Sequence, residues 1–92
     1  MESMLFSPIS IGDLVINNRI VVAPMCQYSA IDGSATDWHL MHLGQFSISG
    51  SGLTFIEATA VEEKGRITPG CLGLYSDNNE KELEKIVQFF KK

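Results

Sequence analysis

The sequence predicts an alternating α/β fold whose sheet is not closed within this chain. Two nearly continuous apolar runs, residues 19–23 and 53–61, have the β-branched content of strands that are buried on both faces. One helix-period segment lies between the runs and another follows them, so we expect parallel strands joined by a right-handed crossover. The runs carry few of the charges and prolines that discourage edge pairing, so both open edges require neighbouring strands.

The first element is expected to be a β-hairpin within residues 1–18. Short extended pieces over residues 5–18 are interrupted by Pro8 and by the pairs Gly12-Asp13 and Asn17-Asn18. Both pairs tolerate positive φ and are typical of tight turns. The hairpin therefore precedes the first long apolar run.

The first strand and the first helix form a predicted βα unit over residues 19–50. The strand ends at Pro24, which has no N–H to donate to a ladder. After a loop over residues 25–35, Thr36 or Asp37 is expected to cap a helix over residues 38–49. The turn Gly50-Ser51-Gly52 follows that helix and is typical of a helix end.

A second βα unit is predicted over residues 53–92. Its strand, residues 53–61, is followed by a loop over residues 62–76, which exceeds the usual length of about 2–6 residues and suggests a functional role. The last helix has capping-box spacing from Asp77 to Glu80 and acids in its first turns. Its apolar positions recur at helical spacing and its end is basic; these positions are Leu83, Ile86, Val87 and Phe90, then Lys91 and Lys92.

Composition and charge exclude several classes of protein. The 92 residues are 45% hydrophobic and 20% charged, which is globular rather than collagen-like, low-complexity or disordered. A net charge of −4 argues against nucleic acid as a partner. The charges concentrate from Glu57 onward, so we expect the first half to be mostly buried and the last helix to be solvated.

Location and redox state follow from what the sequence lacks. No window reaches the roughly 18 apolar residues of a membrane-spanning helix, and the start Met1-Glu2-Ser3 lacks the features of a signal peptide. These observations predict a cytoplasmic protein without a membrane segment. Cys26 and Cys71 are then expected to be free thiols, and their spacing does not suggest zinc.

Three further features have unremarkable interpretations. His39 and His42 are spaced to share a helix face, but without a third ligand they are interpreted as packed or capping residues, and no metal site is expected. Trp38 is interpreted as a core residue. The glycines at 50 and 52 follow a helix and precede a strand, the reverse of a dinucleotide-binding fingerprint.

Five motifs resemble the old yellow enzyme family, specifically its bacterial xenobiotic-reductase-like branch with a cysteine at the flavin. They cover the whole chain in the family's order and spacing, which is more specific than any single motif. The motifs are LFSPI at 5–9, NNRIVVAPMCQYS at 17–29, ATDWHL at 35–40, IEATAV at 56–61 and GRITPG at 65–70.

The resemblance implies a (β/α)8 TIM barrel, of which this chain carries the N-terminal hairpin and the first two βα units. An intact barrel needs about 250 residues, so the remainder of the barrel is the chain's first expected partner. The family binds flavin mononucleotide (FMN), reduces it with NADPH or NADH, and reduces the activated C=C bond of an enone-type acceptor. The resemblance also implies a homo-oligomer for the complete protein.

The same resemblance assigns roles to residues at the ends of both strands, where barrel active sites lie. Cys26 is expected to tune the flavin, and no residue of this segment is assigned as catalytic with certainty. The flavin contacts are Ala23, Pro24, Met25, Cys26 and Ala58, while Tyr28 and, more remotely, Ile67 border the acceptor pocket.

Alone, the chain is expected neither to bind FMN tightly nor to turn over. One alternative is an interaction module that pairs its sheet edges with copies of itself or with a complementary piece of barrel, in which case its mass in solution would exceed that of a monomer. Another is a truncated chain without a function of its own, which would be molten or aggregated when expressed by itself.

Overall fold

The N-terminal hairpin has the turn that the sequence predicts. In the computed structural model, which describes residues 3–91, strand β1 (Ile9–Ile11) pairs antiparallel with strand β2 (Leu14–Ile16). Gly12 takes the positive φ of +60° that the tight turn requires. Predictions that involve Met1, Glu2 and Lys92 lie outside the described residues.

The two long apolar runs contribute a much shorter parallel ladder than expected. Strand β3 (Val21–Val22) pairs with strand β4 (Leu53–Thr54), with Val21 opposite Leu53 and Val22 opposite Thr54. The predicted parallel direction is confirmed, but the predicted strand bounds, residues 19–23 and 53–61, are wrong. Pro24 has no N–H to donate. The hydrogen-bonded pairing of β3 with β4 therefore does not continue along the rest of the second apolar run.

The second half of the 53–61 run forms a separate strand with a different partner. Strand β5 (Thr59–Ala60) pairs parallel with strand β6 (Leu72–Gly73), which lies inside the segment predicted to be a loop. A single 3₁₀ turn at Glu63–Gly65 separates them. A two-residue strand is too short to show a period in the sequence, so β6 had no recognisable signal.

Two helices complete the fold, and both are capped by a hydroxyl residue. Helix α1 (Asp37–Ser47) follows Thr36, as predicted. Helix α2 (Asp77–Phe90) is capped by Ser76 rather than by Asp77, and the Ser76 hydroxyl accepts a hydrogen bond of 3.2 Å from the Asn79 N–H. Within the described residues, no helix is long and apolar enough to cross a membrane.

The core lies where both helices meet β6. Leu72 is fully buried there and is the largest apolar side chain with no exposed surface. It packs with residues from the segment before α1 and from both helices; the cluster is Ala30, Ala35, Leu43, Leu72 and Ile86, with Leu40 and Leu83 against it. This core fixes the two loops that follow β3 and β5.

Much of the first half of the chain is exposed, contrary to the sequence expectation. The expectation was wrong because each sheet has only two strands, so a strand that would be covered on both faces keeps open edges and faces. Trp38 is also not a core residue, since half of its surface is exposed. Large exposed apolar side chains include Leu5, Phe6, Leu14, Val15, Val21 and Met25.

Candidate functional site

The carboxyl ends of β3 and β4 lie side by side. The hydrogen bonding extends one residue past the ladder, because the Phe55 N–H donates to the Val22 carbonyl at 3.0 Å. Adjacent strands are about 4.8 Å apart, so groups from both ends can contact one planar ligand.

The surface at these strand ends is apolar and open. Met25 is 66% exposed and Ala23, Pro24 and Ala58 are exposed as well, whereas Cys26 is half-buried. Exposed apolar side chains at the carboxyl ends of parallel strands are typical of a ligand site in α/β folds. The structure therefore brings the predicted flavin contacts to one edge of the sheet.

Ala58 and Ile67 line one shallow pocket of about 90 Å³ together with Cys71. Ile67 is 79% exposed, so its side chain borders the open side of this pocket. The loop that follows β5 thus lies beside Ala58, the residue that precedes β5.

Tyr28 has an unusual backbone conformation that its surroundings maintain. Its φ is +54°, in the left-handed region that a residue with a side chain seldom adopts. Gly70 packs directly on it, since a Cβ at Gly70 would lie 2.7 Å from the Tyr28 carbonyl oxygen. The Ala30 N–H also donates to the Gly70 carbonyl at 3.0 Å. The Tyr28 side chain, 63% exposed, is therefore presented by two loops in close contact.

Gln27 connects the strand end to the start of α1. Its side-chain oxygen accepts a hydrogen bond of 2.8 Å from the Trp38 indole N–H, and its amide nitrogen donates to the Met25 carbonyl at 3.0 Å. Sequence reasoning missed this residue, because a glutamine in a loop carries no pattern of its own. It also missed the polar role of Trp38.

A buried histidine and glutamate face each other behind these loops. His39 has no exposed surface and Glu57 is only 5% exposed; His39 Nε2 lies 3.7 Å from Glu57 Oε2. The Thr36 N–H donates to His39 Nδ1 at 2.9 Å, which assigns the ring proton to Nε2. His39 is therefore a capping residue, as predicted. Glu57 was missed, although a charged residue inside an apolar run is the signal that marks it.

Burial moves both of these groups toward their neutral forms. It lowers the pKa of His39, with a smaller contribution from His42. It raises the pKa of Glu57, against a smaller opposing effect of the Gln27 backbone N–H. Within residues 3–91, His39 Nε2 and Glu57 Oε1 have no hydrogen-bond partner.

The second cysteine is buried beside the small pocket. The Thr68 hydroxyl and the Thr68 backbone N–H, the latter 3.3 Å from Cys71 Sγ, lower the pKa of that thiol. Both cysteines are free thiols, as predicted. In the part of the chain that the structure describes, no three His, Cys, Asp or Glu side chains form a metal-binding group.

The strand-end residues fit a flat conjugated ring. Ala58 is small enough to let a ring approach the sheet edge, and exposed Met25 provides apolar contact. Among the described residues, the N–H groups of Met25 and Cys26 donate to no backbone carbonyl, so they are free for the polar edge of a ligand. The half-buried Cys26 thiol adds one adjustable donor.

Comparison with known proteins shows the family to which the chain is similar. The model of the NADH:flavin oxidoreductase / NADH oxidase family matches residues 4–92. An NADH:flavin oxidoreductase of Gibberella zeae is 51% identical over 88 residues, which cover 96% of this chain and 21% of that protein. An NADPH dehydrogenase of Bacillus cytotoxicus is 43% identical over 93 residues, covering 99% and 27% respectively. The chain thus spans about a quarter of the length of these curated relatives.

Solved structures of similar fold extend the same result. A variant of NCR from Zymomonas mobilis superposes with a TM-score of 0.85 at 27% identity, covering 98% of this chain and 29% of that one. Morphinone reductase superposes with a TM-score of 0.86 at 25% identity, covering 95% and 23% respectively. Each match accounts for nearly all of this chain and a minor part of the larger structure.

Proposed function

The chain belongs to the NADH:flavin oxidoreductase / NADH oxidase family, and we propose that the protein containing it is an FMN-dependent NAD(P)H oxidoreductase that reduces enone-type acceptors. The observation that carries this proposal is the open apolar edge at the carboxyl ends of the paired strands β3 and β4, where Met25 is 66% exposed and Pro24 and Ala58 are exposed as well. An NADPH dehydrogenase and an NADH:flavin oxidoreductase among the relatives support the same class of reaction.

The residues at the strand ends are proposed to hold the isoalloxazine ring of FMN. When bound, FMN supplies hydride transfer from NADPH or NADH to the activated C=C bond of the acceptor. Ala58 gives the ring room and Met25 covers it, while Ala23 and Pro24 form the adjoining backbone. The Cys26 thiol is proposed to hydrogen-bond to the ring and so adjust its reduction potential.

Tyr28 and Ile67 are proposed to form the near side of the acceptor pocket. The strained backbone of Tyr28 presents a phenol that can donate a hydrogen bond and stack on an unsaturated ring. Ile67, on the facing loop, provides apolar contact at the rim of the small pocket. Excluding water from this side would favour hydride transfer over side reactions.

The remaining walls of the site are proposed to come from the rest of the barrel. Those walls include the groups that bind the acceptor carbonyl and the FMN phosphate, which the resemblance places on later strands. We further propose that the complete protein is a cytoplasmic homo-oligomer. By itself, this segment is proposed to be inactive, since it provides one side of the ring only.

Anaerobic titration of the full-length protein tests the proposed reaction. NADPH or NADH should bleach the visible flavin absorbance, and cyclohexenone should restore it, whereas the saturated analogue cyclohexanone should not. Persistence of the flavin absorbance with both reductants would contradict the reductase function. Equal restoration by the two ketones would contradict the specificity for an activated C=C bond.

A further inference from the structure

Gln27 is unusual in the loop after β3 because both ends of its side chain are engaged. The Trp38 indole N–H donates to its Oε1 at 2.8 Å, and its Nε2 donates to the Met25 carbonyl at 3.0 Å. The Ser29 hydroxyl donates to the Gln27 backbone carbonyl at 3.0 Å. These contacts tie the residues on either side of Gln27 to one another and to α1. Gln27 therefore joins the end of β3 to the first turn of α1.

The exposure of Trp38 is consistent with a polar role. Half of its surface is exposed, although burial of an indole ring would stabilise the fold more than exposure does. The exposed Trp38 contributes its indole N–H to a hydrogen bond, whose acceptor is Gln27. The hydrogen bond joins residues 11 positions apart and fixes the loop against the helix.

We propose that Gln27, held by Trp38, is a positioning residue that fixes Met25 and Cys26 in the flavin site. The Met25 carbonyl, to which the Gln27 amide donates, belongs to the peptide unit that leads directly into Cys26. Loss of the Trp38 contact frees the amide, and the thiol then samples more than one position. This inference rests on the proposed function, because it concerns the same ligand site.

A double-mutant cycle in the full-length protein tests the proposal. Trp38→Phe keeps the aromatic ring and removes the N–H, Gln27→Leu removes both side-chain contacts, and the third variant combines them. Gln45→Leu, an exposed glutamine on α1, is the matched control. The readouts are the alkylation rate of Cys26 in FMN-free protein, with buried Cys71 as an internal reference, and the dissociation constant of FMN.

Trp38→Phe should raise the alkylation rate of Cys26 and weaken FMN binding by about fivefold, the factor that one ordinary hydrogen bond represents. Gln27→Leu should have an effect at least as large, and Trp38→Phe should add nothing in its presence. Gln45→Leu should match the wild type. Coincident changes with an intact thermal transition identify positioning rather than loss of fold.

The proposal would be overturned if Trp38→Phe had the wild-type alkylation rate of Cys26 and the wild-type affinity for FMN. It would also be overturned if the effects of Trp38→Phe and Gln27→Leu were additive in the double variant. If Gln27→Leu does not fold, Trp38→Phe compared with Gln45→Leu decides alone. If the wild-type protein binds no FMN, the proposed function fails. The alkylation rates in FMN-free protein still show in that case whether Gln27 positions Cys26.

Discussion

Cys26 is a half-buried free thiol two residues beyond Pro24, in the loop that follows β3. A thiol at the edge of a flavin acts through a single weak hydrogen bond, so it adjusts the reduction potential rather than providing the chemistry. The size of its effect is therefore the size of one hydrogen bond.

Replacing Cys26 with alanine in the full-length protein should shift the flavin reduction potential by on the order of 20 mV. The shift is expected because alanine removes the thiol that is proposed to hydrogen-bond to the flavin ring. Cys26→Ser, which restores a hydroxyl, should recover part of it. Potentiometric titration with stopped-flow measurement of both half-reactions gives the comparison. An unchanged potential together with unchanged half-reaction rates would exclude the tuning role.

The resemblance assigned Met25, Cys26 and Ala58 to the proposed flavin site because their motifs are continuous in the sequence. It assigned no role to Gln27 or Glu57. Their significance arises from contacts with Trp38 and His39, which lie many positions away and only meet when α1 packs behind the strand ends. Such contacts have no local pattern, so composition and spacing cannot reveal them.

The start of a helix can be predicted from local sequence rules, whereas the boundaries of these strands cannot. Thr36 or Asp37 was predicted as the cap of α1, and Thr36 takes that position, because the preference for hydroxyl and carboxylate residues before a helix is a local rule. The strand boundaries depend on which neighbour supplies a partner. The run 53–61 was therefore predicted as one strand, whereas it divides between β3 on one side and β6 on the other.

In the first turn of α1, the side chain that completes the helix cap is itself a buried titratable group. Its capping box has histidine in place of the usual glutamate or glutamine, so His39 must stay neutral at Nδ1 to accept from Thr36. Burial lowers the pKa of His39 from its ordinary value of 6.5, so the unfolded chain binds this proton more readily. This group therefore reduces stability as the pH falls below 6.5.

His39→Gln should remove that contribution, because glutamine can accept the same hydrogen bond without titrating. Thermal unfolding of the full-length protein across about pH 5 to 8 measures the effect as the slope of melting temperature against pH. The wild type should lose stability toward acid more steeply than His39→Gln. His42→Gln, on the same helix, should keep most of the wild-type slope.

The same slope in His39→Gln and in the wild type would show that the buried imidazole does not control acid stability. Glu57 acts in the opposite direction, since its raised pKa reduces stability as the pH rises above 4.5. The histidine contribution therefore lies on the acid side of 6.5, and the comparison of His39→Gln with the wild type separates it from that of Glu57.

At the scale of the whole molecule, the described residues form an elongated body of 50 × 22 × 21 Å. Three separate two-stranded sheets leave strand edges open, as the sequence predicted from the uninterrupted apolar runs. An apolar groove of about 340 Å³ also lies beside α2, lined by Ile56, Leu74, Leu83, Ile86 and Val87. These surfaces fit a chain that supplies the hairpin and first two βα units of a (β/α)8 barrel.

The visible absorption spectrum after gel filtration with excess FMN tests the central claim, that this chain forms one wall of a flavin site completed by the rest of the barrel. The full-length protein should retain about one FMN per chain, and the 92-residue chain should retain none, because it contacts one side of the ring only. Stoichiometric retention by the 92-residue chain alone, or none by the full-length protein, would contradict this account.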